Sequence, residues 1–105
     1  MRNLYFNHSR FGLPILKKYG FVEYPNHYRW TCYVILPNCK DSYIAQIRFY
    51  KNLNQLEISK DYGTEKINIS SALELNSLIE NKIKILFKDN IIAFDDENNE
   101  NKYLN

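Results

Sequence analysis

Two segments of the chain alternate between apolar and polar positions, which is the pattern of a half-buried β-strand. From Tyr28 to Leu36 the sequence is YRWTCYVIL, and from Ser42 to Tyr50 it is SYIAQIRFY. Successive side chains of a strand point to opposite faces. The more apolar face therefore contains Trp30, Cys32, Val34, Leu36, Tyr43, Ala45, Ile47 and Phe49. The turn residues at 37–41 predict that the two strands pair as an antiparallel hairpin.

A helical period replaces this alternation in the last third of the chain. Apolar residues recur on one stripe, at Leu75, Leu78, Ile79, Ile83 and Leu86. Ser71 is followed three residues later by Glu74, which is a capping-box pattern. We therefore predict a long helix that has Ser71 as its N-cap, ends near Phe87 and lies across the sheet.

Weaker signals predict the remaining elements. Pro14 and Gly20 delimit the segment from Leu13 to Tyr19, as expected for a short helix. Extended segments are predicted at 21–24, 55–61 and 91–94, and the last either adds an edge strand or packs beside the long helix. The sequence thus predicts an α+β fold with a short N-terminal helix, a three- to four-stranded antiparallel meander and a long C-terminal helix packed on one sheet face.

Length and composition fit one soluble domain. Of the 105 residues, 45% are hydrophobic and 25% are charged. A chain of this size buries roughly 60 to 68% of its unfolded surface, which is enough for one core. No stretch approaches the ~18 apolar residues of a membrane span, and the first twelve residues lack the apolar region of a secretion signal. We expect a cytoplasmic protein in which residues 1–94 form a single domain.

Charge is unevenly distributed along the chain. Residues 1–94 contain 13 Lys and Arg against 8 Asp and Glu, whereas residues 95–105 contain four acids and one Lys. This acidic tail has few apolar residues to bury, so we expect it to be disordered. A second hypothesis is that the tail masks a basic face of the domain.

Few residues suit catalysis or metal binding. Cys32 and Cys39 would lie about 20 Å apart in an extended chain, too far for a disulfide, so we expect both to be reduced. Without Cys-x-x-Cys spacing they also make a poor zinc site. His8 and His27 are each preceded by Asn, which is typical of solvated loop histidines, and three separated glycines cannot form a phosphate-binding loop. We expect no enzyme activity, no metal and no cofactor.

Two sets of basic and aromatic residues support hypotheses of nucleic-acid recognition. The first is an acid-free stretch, residues 1–22, which interleaves Arg2, Arg10, Lys17 and Lys18 with Tyr5, Phe6, Phe11, Tyr19 and Phe21. It could bind a nucleic-acid strand by stacking and phosphate contacts, although the same aromatics are also needed for the core. The second set consists of Arg29, Tyr33, Arg48 and Tyr50, which could act as the site of a small metal-independent ribonuclease. The modest net positive charge of the chain disfavours this hypothesis.

The second face of the sheet is the leading candidate site. If the long helix covers the apolar face, the other face exposes Arg29, Tyr33, Ile35, Arg48 and Tyr50 together, unless the short helix covers them. Tyr and Arg are enriched at protein interfaces because they combine apolar area with polar tips.

We therefore expect a small non-catalytic protein-binding module that acts as an inhibitor, a toxin-immunity protein or a phage anti-defence protein of the anti-CRISPR type. Its expected partner is another protein, such as a toxin, a nuclease or a defence component. An unpaired sheet edge would also allow a homodimer.

Overall fold

The computed structural model of the protein describes residues 3–37, 41–63 and 66–94. They form an α+β fold, as the sequence predicts. The strands are β1 (Leu4–Phe6), β2 (Val22–Glu23), β3 (His27–Ile35), β4 (Ser42–Tyr50), β5 (Leu56–Asp61) and β6 (Ile92–Phe94), and the helices are a 3-10 helix (Leu13–Tyr19) and α1 (Ile69–Lys88). The predictions for Cys39 and for the acidic tail, residues 95–105, lie outside the described residues.

Four strands form one antiparallel sheet in the order β2-β3-β4-β5. Strands β3 and β4 pair along their whole length with Trp30 opposite Ile47, and Ile47 is in turn opposite Ile58 of β5. The predicted alternation is confirmed, since the buried residues of β3 and β4 on one face are Tyr28, Cys32, Val34, Tyr43, Ala45, Ile47 and Phe49. The core forms against this face because its strands present a continuous apolar surface there.

Helix α1 packs its apolar stripe on that face of the sheet, against β3 and β4. Leu75, Ile79 and Leu86 are buried, and Ile83 is partly buried. Leu78, which the sequence also places on the stripe, lies at its margin and is 37% exposed. The predicted position of the long helix across the sheet is confirmed.

The helix begins earlier than the capping box predicts. Asn68 is the N-cap, and its Oδ1 accepts a hydrogen bond from the backbone N–H of Ser71 at 2.9 Å. The backbone N–H of Asn68 in turn donates to the Tyr43 hydroxyl at 2.8 Å. The prediction of Ser71 as N-cap is therefore wrong, and Ser71 is a buried residue of the first turn. Asn and Ser are similarly good caps, so the contact with Tyr43 favours the earlier start.

The predicted short helix is present and takes the 3-10 form. It ends at Gly20, whose φ of 87° strains any residue with a side chain. The helix lies on the same side of the sheet as α1, because the Tyr19 hydroxyl donates to Asp89 Oδ2 at 2.7 Å and Lys82 Nζ donates to the Tyr19 carbonyl at 2.9 Å. Its Leu16 is fully buried. The short helix therefore extends the core, and neither it nor α1 covers the other face of the sheet.

Strands β1 and β6 form a second, two-stranded antiparallel sheet, in which Tyr5 lies opposite Ala93. The backbone N–H of Phe6 donates to the Asn54 carbonyl at 2.8 Å, which links this pair to the turn before β5. Each of the two interpretations of residues 91–94 is correct in part. Ile92–Phe94 is a strand, but it pairs with β1 and not with the edge of the four-stranded sheet. It also packs beside α1, where the Phe94 and Phe87 rings lie 5.3 Å apart. The sequence does not predict β1, because three residues are too few to show an alternating pattern.

Candidate functional site

The outward face is the side of the four-stranded sheet that points away from α1 and the 3-10 helix. It contains all five residues that the sequence selects for partner binding: Arg29, Tyr33 and Ile35 on β3, and Arg48 and Tyr50 on β4. Tyr33 and Ile35 are 62% and 68% exposed. Arg29, Arg48 and Tyr50 are partly buried. The fold therefore brings the predicted set onto one surface, which neither described helix covers.

One end of the outward face is apolar and consists of Tyr33, Ile35 and Ile44. Tyr33 lies directly opposite Ile44 in the register of β3 and β4, so their side chains are neighbours. All three residues are exposed. A search for Tyr and Arg misses Ile44, although the alternation of β4 places it on this face. Contiguous exposed apolar side chains of this kind are typical of binding surfaces.

The other end of the outward face is built around His27, which is 8% exposed. Its ring stacks on Tyr24 with centroids 4.9 Å apart and planes 9° apart, and it lies 5.3 Å from the Tyr50 ring. The interpretation of His27 as a solvated loop residue is therefore wrong, since it is the buried first residue of β3. Tyr24 and Tyr50 bury it, and neither is its neighbour in sequence.

Hydrogen bonds fix the tautomer of His27. Arginine can only donate, so His27 Nε2 accepts from Arg29 Nε at 3.3 Å. Nδ1 then carries the ring proton and donates to Asn26 Oδ1 at 2.6 Å. Burial is the main cause that lowers the pKa of His27 below its ordinary value of 6.5, and the positive charges of Arg29, Arg48 and Lys51 add to it. At neutral pH His27 is therefore an uncharged acceptor.

Arg29 and Arg48 form an arginine pair in the centre of the outward face, directly opposite each other on β3 and β4. The guanidinium carbon of Arg29 lies 4.2 Å from the centre of the Tyr24 ring, and Arg48 Nη1 donates to Gln46 Oε1 at 2.8 Å. Arg48 Nε is buried and has no hydrogen-bond partner in the described part of the chain, and a buried donor of this kind typically costs about 1–3 kcal/mol. Neither arginine has a carboxylate within ion-pair distance among the described residues.

Acidic residues lie at the β5 edge of the outward face. Glu57 is opposite Arg48 and Asp61 is opposite Ile44, and both are exposed. Glu23 of β2 is not part of this edge; it lies opposite the core residue Tyr28 and is bound by Lys51 at 2.8 Å and by Lys17 at 3.0 Å. The outward face is therefore positive at its centre and negative along β5.

The N-terminal basic residues are separated from the aromatics with which the sequence interleaves them. Phe6 and Phe21 are buried, and Tyr5, Phe11 and Tyr19 are partly buried. Lys17 is ion-paired with Glu23, whereas Arg10 and Lys18 are exposed, and Arg2 lies outside the described residues. The core thus uses most of the aromatic area that nucleic-acid stacking would need.

The groups considered for catalysis and metal binding are dispersed. His8 Nε2 is hydrogen-bonded to Asn54 Oδ1 at 2.7 Å, whereas His27 is hydrogen-bonded to Asn26 and Arg29, so the two histidines share no partner. Cys32 is a free thiol, and burial raises its pKa. The described ranges contain no group of three or more His, Cys, Asp or Glu that could hold a metal ion. No helix in the described part of the chain has the length and apolar character to cross a membrane.

A scan against protein-family models, a search of curated proteins and a search of solved structures each found no match to this chain.

Proposed function

We propose that this protein is a non-catalytic binding module that recognises another protein through its outward face. The observation that carries the proposal is the exposed apolar end, formed by Tyr33, Ile35 and Ile44, beside an arginine pair that forms no ion pair with any described residue. Apolar area combined with Tyr and Arg is typical of the centre of a protein interface. The core, α1 and the 3-10 helix lie on the other side of the sheet, so none of these described elements blocks a partner from this face.

The arrangement of the aromatic rings favours a protein over a nucleic acid as the partner. Single-stranded nucleic acids bind by stacking their bases on free aromatic faces. Tyr24 and His27 stack on each other, and the guanidinium of Arg29 lies over the Tyr24 ring, so these faces are already occupied. Glu57 and Asp61 along β5 would also repel a phosphate backbone.

A module of this kind acts by covering part of its partner's surface. Inhibitors, toxin-immunity proteins and phage anti-defence proteins act in this way and need no catalytic group or cofactor of their own. A partner in this class is a toxin, a nuclease or another defence component. Strands β3 and β4, which pair over 9 residues each, provide the preformed surface that such rigid recognition favours.

Capture from an extract of the source cells, treated with nuclease, tests the proposal. The baits are the wild type, the double variant Tyr33→Ser/Ile35→Ser and the control Leu73→Ser, which removes an apolar side chain that is 61% exposed on α1. We expect the wild type and the control to retain one stoichiometric protein at moderate salt. The double variant should retain at least about tenfold less, because substitutions at the centre of an interface commonly weaken binding by ~2 kcal/mol or more.

Two results would contradict the proposal. The first is retention of the same protein by the double variant, which would place binding on another surface. The second is capture of nucleic acid from untreated extract, eluted by salt and without a protein partner, which would favour Arg2, Arg10, Lys17 and Lys18 as the binding residues. Light scattering on the purified protein identifies a second copy as the partner if the wild type is a dimer and the double variant is a monomer.

A further inference from the structure

The arginine pair places two positive charges side by side, and neither charge is in an ion pair with a described residue. The Cβ atoms of directly opposite residues such as Arg29 and Arg48 lie about 4.5–5.5 Å apart, and like charges at such positions destabilise a sheet. Lys51 nearby is balanced by Glu23. Neither arginine forms an ion pair within the described ranges, although Glu57 lies opposite Arg48 on the other side. The fold therefore maintains a repulsion that a bound anion would remove.

The hydrogen-bonding capacity of the arginine pair is only partly used. Arg29 Nε and Nη2 both lie 3.3 Å from Nε2 of the uncharged His27, and Arg48 Nη1 donates to the uncharged Gln46. Neutral acceptors orient the guanidinium groups without cancelling their charge. Nη1 of Arg29 and Nη2 of Arg48 have no partner among the described residues, so each arginine retains a donor for a ligand.

We propose that the arginine pair binds a carboxylate of the partner protein, from an Asp or Glu side chain that approaches the outward face. This inference rests on the proposed function and specifies one chemical group on the partner's binding surface. A carboxylate has two acceptor oxygens and accepts one hydrogen bond from each planar guanidinium group. Its charge offsets the repulsion between Arg29 and Arg48. A carboxylate carries a single charge, so Glu57 repels it less than it repels a chain of phosphates.

Titration of the purified protein with acetate, followed by NMR at constant ionic strength, tests the site directly. The reporter is the imidazole of His27, whose charged and titratable neighbours are Tyr24, Arg29, Arg48, Tyr50 and Lys51. An anion on the arginine pair opposes the effect of the arginines, so bound acetate should raise the pKa of His27. We expect a saturable upward shift in the wild type.

Variants show whether the arginine pair causes this shift. Arg29→Gln and Arg48→Gln should each abolish the acetate-dependent shift, whereas Lys84→Gln, at an exposed position of α1, should retain it. Arg48→Lys keeps the charge but loses the planar donor pair, so it should lose most of the response. A wild-type His27 that responds to inorganic phosphate but not to acetate would overturn the carboxylate assignment.

Capture from nuclease-treated extract separates this inference from the proposed function. We expect Arg29→Gln and Arg48→Gln each to reduce retention of the partner at least about tenfold, because truncating one member of a hydrogen-bonded charge pair leaves the other charge buried in the interface without its partner. If only Tyr33→Ser/Ile35→Ser abolishes capture, the carboxylate inference is overturned and the proposed function stands. If acetate shifts the pKa of His27 but no outward-face variant changes capture, both the partner assignment and the proposed function are overturned.

Discussion

At the scale of single residues, His27 shows how strongly tertiary neighbours determine chemistry. The rings of Tyr24 and Tyr50 bury its imidazole, and Arg29 donates to its Nε2. A protonated imidazole would lose that hydrogen bond and would stand beside the arginine pair. The folded protein therefore disfavours the charged form of His27, and the lowered pKa expresses this preference.

The lowered pKa of His27 predicts that the protein loses stability in mild acid. In the unfolded chain, His27 binds a proton as pH falls below its ordinary pKa of 6.5, whereas in the folded protein it stays uncharged until a lower pH. The free energy of unfolding therefore falls as pH decreases from 6.5 towards the lowered pKa of the folded protein. Urea denaturation of the wild type at about pH 7.5 and about pH 5.5 measures the fall.

The contribution of His27 is isolated by two variants. His27→Phe keeps an aromatic ring between Tyr24 and Tyr50 but cannot titrate, so its stability should change less over the same pH range. His8→Gln, at an exposed position, should keep the wild-type dependence. Equal pH dependence in the wild type and His27→Phe would show that another group causes the effect.

The residues of the candidate site were largely predictable from alternation. Arg29, Tyr33 and Ile35 share a face with Arg48 and Tyr50 because the side-chain period of a strand is two, and this holds whatever packs on the sheet. The burial of His27 could not be predicted in the same way, because it depends on the register that brings Tyr50 of β4 opposite the first residue of β3.

At the scale of elements, the start of α1 shows how two local signals compete. Asn68 and Ser71 are both good N-cap residues, and Ser71 has the additional Glu74 of a capping box. The hydroxyl of Tyr43 accepts from the Asn68 backbone and holds it in place, and the Asn68 side chain then caps the helix. A contact between β4 and the loop before α1 thus outweighs the sequence pattern.

This assignment predicts that Asn68→Ala lowers the free energy of unfolding by about 1 kcal/mol, because the Ser71 backbone N–H loses its acceptor. Ser71→Ala should change stability less, since its hydroxyl does not cap the helix. Chemical denaturation of the two variants against the wild type measures both effects. If Ser71→Ala were less stable than Asn68→Ala, Ser71 would be the N-cap instead of Asn68.

Ion pairs at Glu23 connect the 3-10 helix to the sheet. Lys51 and then Lys17 hydrogen-bond the carboxylate of Glu23 and hold its pKa down to about 2. Glu23 is therefore ionised at every pH above that value, and it links the 3-10 helix, β2 and the turn after β4. These groups are exposed, so the link positions the elements more than it stabilises them.

At the scale of the whole molecule, the pairing of β1 with β6 incorporates the N-terminal basic stretch into the fold. Phe6 is 2% exposed, and its ring lies 6.0 Å from Phe49 and 4.8 Å from His8. A stretch that could have been a free nucleic-acid-binding arm is thus tied to the core by its aromatic residues.

The position of Phe6 predicts that Phe6→Ala destabilises the protein by about 3–5 kcal/mol, the range for deleting a buried phenylalanine. Phe87→Ala is the matched control, because Phe87 is 40% exposed and should cost less. Thermal and urea unfolding measure the difference. Unfolding free energies of the wild type and Phe6→Ala that agree within error would mean that the N-terminal stretch is not part of the core.

The sequence by itself determined the elements whose pattern is long: β3, β4, the body of α1 and the division of the sheet into two faces. Their periods of two and 3.6 residues are properties of the local backbone, so they can be recognised without knowledge of the fold. Tertiary structure alone decided that β1 pairs with β6, that the 3-10 helix lies beside α1 and that His27 is buried. Each of these depends on at least one partner that is distant in sequence, such as Tyr50 for His27, and no local period encodes such a contact.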